Sequence, residues 1–113
     1  MTLIYKILPR AEWTAAQASG VFAGSGIDVA DGYIHFSTAL QVDETARKYF
    51  SGQADLVVLA IETEGLAGDL RWEPSRGGDL FPHLYGTLDA AQVIGVTRAP
   101  LGTDGVPILG TLA

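Results

Sequence analysis

Six apolar residues in an unbroken row, Leu56 to Ile61 within "DLVVLAIE", constrain this chain more than any other feature. A half-exposed strand alternates apolar with polar residues, and an amphipathic helix repeats its apolar residues every three or four positions. This run does neither, and it reads as a buried strand. Other segments must therefore cover it.

Those segments can be placed by their boundaries. "TLIYKIL", residues 2–8, is rich in β-formers and reads as a first strand. Pro9 ends it and suits the first turn of a helix, which "RAEWTAAQAS" continues to a stop at Gly20. Residues 20–32 hold four glycines and read as a loop, with Asp31-Gly32 as its closing turn. "YIHFS" is strand-like, and the period of two sets Ile34 and Phe36 apart from Tyr33, His35 and Ser37. Thr38 and Gln41 have the spacing of a capping box, and a second helix follows to Gly52. "LRWE", residues 70–73, reads as a short strand stopped by Pro74, and "VIGVTRAPL" reads as another strand. "GLAGDL" reads as a loop or single turn, "TLDAAQ" as one helical turn, and "FPHLYG" has no clear type. Strands outnumber helices, and the two helices come early. The expected fold is α+β: one domain over residues 1–113, with a twisted, mostly antiparallel sheet or two packed sheets.

Charge narrows the partners. Thirteen acidic residues face seven basic ones, for a net charge of −6, and the basic residues are scattered. A nucleic-acid binder clusters its basic residues on one face, so DNA is not an expected partner. No apolar run approaches the roughly 20 residues of a membrane span, and the N-terminus lacks a signal-peptide pattern. The chain has no cysteine, which excludes thiolate metal sites and disulfides. A cytoplasmic protein is expected.

The groups able to do chemistry are few. The only histidines are His35 and His83, each near hydroxyl residues: Ser37 and Thr38 beside one, Tyr85 beside the other. Histidine changes charge near neutral pH, so both are acid/base candidates; both would serve equally as hydrogen-bonded structural residues. Ser37 and Thr38 fit a helix cap, and the same helix N-terminus suits a phosphate or carboxylate. Glu73 follows Trp72, and desolvation by the indole is expected to raise its pKa toward that of a general base. The alternative is a surface carboxylate paired with Arg71 or Arg76. Two histidines with Asp28, Asp31 or Glu73 have the composition of a two-His-one-carboxylate metal site, but no HxH or HExxH spacing supports one, so no metal is expected. Ser37 lacks a G-x-S-x-G setting, there is no Walker loop, and "GSGIDVADG" does not match G-x-G-x-x-G.

Taken together, "GSGIDVADGYIHFSTALQV", "LVVLAI", "LRWE" and "FPHLYG", with Tyr5-Lys6, Trp13 and Phe50, resemble the small bacterial proteins grouped as domain of unknown function 952. More distantly, "YIHFST" followed by a helix and "LVVLAIE" resembles the His-x-Ser element of tRNA 2′-phosphotransferases, which have the ADP-ribosyltransferase-like fold. The distant resemblance implies an ADP-ribosyltransferase-like fold and a nucleotide or NAD-type ligand. It implies that His35, Ser37 and Thr38 line a nicotinamide–ribose cleft, with Glu73 or His83 as the later-strand partner. Tyr85 is expected to stack on a ring of the ligand or donate a hydrogen bond to it. Turnover would be ADP-ribosyl or phosphoryl-ribose transfer. A non-catalytic pocket for a small anion or a peptide is the alternative.

Overall fold

The computed structural model describes residues 2–66, 68–110 and 112. Its frame is a three-stranded antiparallel sheet in the order β1 (Leu3–Pro9), β4 (Leu56–Glu62), β8 (Val93–Ala99). The apolar run forms β4, at the centre. Its odd-numbered residues Val57, Leu59 and Ile61 enter one core with Ile4 and Leu8 of β1. Its even-numbered residues Leu56, Val58 and Ala60 enter a second core with Tyr5 and Ile7. A strand buried on both faces has no polar alternation to show, which accounts for the unbroken run.

Each face has its own cover. Helix α1 (Arg10–Ser19) lays Trp13 and Ala16 on the first core and ends at Gly20, whose φ of 86° is the left-handed geometry that stops a helix. Helix α3 (Val42–Tyr49) lays Val42 and Ala46 on the second core. A second three-stranded sheet, in the order β3 (Ile34–His35), β6 (Asp79–Leu84), β5 (Leu70–Ser75), adds Ile34 and Leu84 to the first core. A two-stranded ribbon pairs β2 (Val21–Phe22) with β7 (Leu88–Asp89). The strand pairings among the described residues are all antiparallel, so the protein is α+β with mostly antiparallel sheets.

The two large sheets meet at a bridge. The Tyr5 amide donates to the Ser37 carbonyl at 2.8 Å, and the Ser37 amide donates to the Tyr5 carbonyl at 2.9 Å. That bridge sets the segment after β3 against β1.

Several sequence readings are corrected. The loop expected over residues 20–32 contains β2 and a short helix, α2 (Ile27–Asp31), between Gly26 and Gly32, both with positive φ. The second helix starts at Val42, not at Thr38. Only half of the expected capping box forms: the Gln41 side chain accepts from the Thr38 amide at 3.0 Å, and no side chain caps the helix. Pro74 does not stop its strand, because β5 is a sheet edge and a proline there leaves no ladder donor missing. "FPHLYG" proves to be largely strand, in β6. Pro82 lies in the middle of that sheet; its carbonyl accepts from the Phe36 amide at 3.0 Å, but it has no N–H to return. The ladder toward β3 cannot continue past that point, and β3 is only two residues long.

Leu59 is fully buried on the central strand, whereas Leu40 is 95% exposed. Leu59→Ala should lower unfolding free energy by about 2–5 kcal/mol. Leu40→Ala should change it by no more than about 0.5 kcal/mol. Urea denaturation of both variants checks the core assignment; equal midpoints would contradict it.

Candidate functional site

His35 and His83 are directly opposed across the β3–β6 pairing. Residues opposed in an antiparallel pair project to the same face, and the two rings lie 5.3 Å apart, edge to face. Both line one cleft of about 540 Å³, whose walls include Tyr5, Tyr33, Phe36 and Phe81. Tyr33 stacks on His83 with centroids 4.2 Å apart and planes 11° from parallel. It also lies 4.5 Å from the His35 ring.

Each histidine has a carboxylate behind it. His35 Nδ1 is 2.6 Å from Asp28 Oδ1, and His35 Nε2 is 3.0 Å from Asp31 Oδ2. His83 Nδ1 is 2.8 Å from Glu73 Oε1, which also accepts from the Tyr85 hydroxyl at 2.7 Å. A carboxylate can only accept, so the neutral His83 ring has its proton on Nδ1 and its lone pair on Nε2. Among the described residues, that nitrogen has no hydrogen-bond partner.

Behind His35 lies a buried ion pair. Period-two alternation puts Lys6 on the same face of β1 as Ile4 and Leu8, opposite Leu59. A lone ammonium there would be costly. Its Nζ is 2.7 Å from Asp28 Oδ2 and 3.0 Å from Oδ1. Asp28 also accepts from the Ser25 amide at 2.9 Å and the His35 amide at 3.0 Å. Burial pushes the Lys6 pKa down by more than Asp28 raises it. Burial pushes the Asp28 carboxyl up, but the His35 hydrogen bond, the Lys6 charge and the Ser25 amide outweigh it and hold the carboxyl below its usual range.

The other expected residues divide. Ser37 lines the cleft, and its hydroxyl is 2.8 Å from the Thr45 hydroxyl. Thr38 and Tyr85 do not line the cleft. Thr38 sits in the turn before α3, whose first turn carries Asp43 and Glu44; the helix end expected to hold an anion is already supplied with its own carboxylates. Tyr85 is covered by the Arg71 guanidinium, 4.5 Å from the ring centroid. Glu73 stands behind His83 and does not line the cleft. Its pKa is lowered, not raised: the His83 and Tyr85 hydrogen bonds favour the carboxylate. Trp72 is its neighbour along the strand and so projects to the opposite face, which is why no indole desolvates it. The Arg76 side chain, one expected partner of Glu73, lies outside the described residues. No cluster of three or more histidine, aspartate or glutamate side chains among the described residues is arranged to hold a metal.

Sequence reasoning gave Lys6 no role with Asp28, weighed Asp28 and Asp31 only as metal ligands, and did not place Tyr33 between the rings. One signal was present for the first: a lysine at an inward strand position needs a buried counter-charge.

Fold and cleft together define a small α+β protein of antiparallel sheets with two carboxylate-backed histidines in one hollow. The family model described as "Protein of unknown function (DUF952)" matches residues 7–96, and the chain belongs to that family. Protein CC0527 of Caulobacter crescentus is similar over nearly its whole length. Its crystal structure is 57% identical, covering 94% of this chain and 93% of that one, with a TM-score of 0.91. Its solution NMR structure is 58% identical, covering 97% and 95%, with a TM-score of 0.86. No curated protein matches the chain.

Asp28→Asn should cost about 3–5 kcal/mol at pH 7, because it leaves Lys6 buried without its counter-charge. The folded pKa of Asp28 is depressed, so the unfolded chain takes up the proton first as acid is added. The stabilisation is therefore present above about pH 4 and is lost as the pH falls through the folded pKa. Urea midpoints measured from pH 7 downward should drop in the acid range for the native protein and drop less steeply for Asp28→Asn. Parallel acid limbs would remove Asp28 from this account.

Proposed function

We propose that the cleft binds a nucleotide or NAD-type ligand, and that the two histidines carry acid/base chemistry at its ribose or phosphate. The reading rests on one observation: two imidazoles 5.3 Å apart, each with Nδ1 on a carboxylate, share one cleft. Carboxylate-oriented imidazoles are the usual form of a positioned proton carrier. The volume of about 540 Å³ suits a small organic ligand. Tyr5, Tyr33, Phe36 and Phe81 offer apolar faces to a base or pyridine ring.

The roles follow from the hydrogen bonds. His83 Nε2 accepts a proton, with Glu73 acting through His83 and not on the ligand. His35 contacts the ribose or phosphate, and Ser37 steadies the wall beside it. Glu12 on the cleft surface favours a ligand that develops positive charge, as a ribosyl group does when its glycosidic bond breaks. ADP-ribosyl or phosphoryl-ribose transfer on an ADP-ribosyltransferase-like fold is the finer form of this proposal, supported by the likeness of "YIHFST" to the phosphotransferase element.

One observation favours the second reading, a non-catalytic pocket for a small anion or a peptide. Both nitrogens of His35 are already engaged by internal carboxylates, as befits a group that holds more than it transfers.

Titration calorimetry with NAD, ADP-ribose and nucleoside phosphates should show binding. No heat from any of them at about 1 mM, where binding would be worth no more than about 4 kcal/mol, rejects the ligand class. If the protein turns over its ligand, His83→Ala should slow it by about 10²-fold or more. Graded affinity loss without any turnover supports the pocket reading instead.

A further inference from the structure

The two carboxylates that grip His35 are not equivalent. Asp28 is 2% exposed, lies 2.6 Å from Nδ1, and accepts from Lys6, the Ser25 amide and the His35 amide as well. It is a permanent part of the fold. Asp31 has a side chain that is 37% exposed, sits at the C-terminal end of α2, lines the cleft, and touches His35 through a single contact of 3.0 Å.

Both ring nitrogens face acceptor-only oxygens, so both contacts are hydrogen bonds when the ring carries a proton on each nitrogen. Lys6, Asp28 and His35 then carry one net positive charge, which Asp31 cancels. The other groups around the ring are Tyr33, tilted 55° from it with centroids 4.5 Å apart, and His83, whose Nδ1 meets Glu73.

We propose that His35 Nε2 is an anion subsite and that Asp31 is its internal occupant, giving way to a carboxylate or phosphate oxygen of the ligand. Displacement needs no change of fold. The Asp31 side chain swings out to water, where an aspartate is well solvated, and the incoming oxygen takes over one charge-assisted hydrogen bond. The buried Lys6–Asp28 pair keeps the ring fixed throughout. The exchange also reconciles an acidic cleft surface with a phosphate-bearing ligand, because the negative group nearest the subsite leaves as the ligand's own arrives. The inference rests on the reading of this cleft as a ligand site, but its test does not depend on nucleotide binding.

The test follows the His35 ring nitrogens by long-range ¹H–¹⁵N NMR during titration with sodium acetate and, separately, inorganic phosphate. In Asp31→Ala, His35 Nε2 should shift to saturation, with at least a tenfold lower apparent Kd than in the native protein. The response should vanish in the double variant Asp31→Ala, His35→Gln. Equal responses in the native and Asp31→Ala proteins, or a response that survives in the double variant, overturns the proposal. Should Asp31→Ala fail to fold, Asp31→Asn serves. It removes the charge but leaves an acceptor oxygen over the ring, so its anion affinity should exceed native by a smaller factor, and no gain overturns the proposal. NAD and ADP-ribose are titrated in parallel: phosphate binding by Asp31→Ala with no nucleotide binding by either protein keeps the subsite and rejects the nucleotide reading.

Discussion

The Lys6–Asp28 ion pair is the contact on which the site depends. It joins the frame sheet to a five-residue helix that has little other reason to dock, since Ile27 and Val29 of that helix point to solvent. A buried ion pair is weak evidence of stability, because desolvating two charges costs about as much as their attraction returns. Its effect here is positional. The lysine lies at an inward position of β1, so its counter-ion must come to it, and Asp28 brings the residue 20–32 segment across the sheet. Once there, Asp28 Oδ1, which Lys6 Nζ also meets at 3.0 Å, takes both the backbone amide and the ring of His35. The imidazole is therefore oriented by the same group that closes the segment over the core.

The fold was legible where hydrophobic pattern decides structure. The unbroken apolar run, the Pro9 boundary with the Gly20 stop, and the separation of Ile34 and Phe36 from His35 all follow from residue type and period. It was not legible where the ends of elements depend on partners. Thr38 and Gln41 have the spacing of a cap, but Gln41 also donates to the Leu80 carbonyl at 2.8 Å, a contact with a distant strand that no local rule foresees. Pro74 halts a strand in isolation but is tolerated at an edge, and edge status is a property of the whole sheet. Helix α2 is too short to show periodicity; the ion pair of Asp28 and its flanking glycines hold it.

The candidate site was legible as residue types and not as a circuit. His35, His83 and Ser37 do share the cleft. Glu73 was chosen for its neighbour in sequence, Trp72, yet strand geometry sends adjacent side chains to opposite faces. The partners that matter to it, His83 and Tyr85, lie across the sheet. The opposition of the two histidines follows from the register of β3 against β6, which local sequence does not determine.

That register also makes the two imidazoles different in kind. They occupy paired positions on neighbouring strands and share Tyr33, which stacks on His83 and is tilted against the more exposed His35. Their hydrogen bonds differ as well. His83 Nδ1 meets one carboxylate, and among the described residues its Nε2 meets no hydrogen-bond partner. His35 meets a carboxylate at each nitrogen, with a buried ammonium beyond the inner one. A sheet that delivers two identical side chains to one hollow thus places them in two different hydrogen-bond settings, and the difference traces to which loop each strand faces. The β3 side meets the glycine-flanked segment with its two aspartates. The β6 side meets only the single carboxylate of the edge strand.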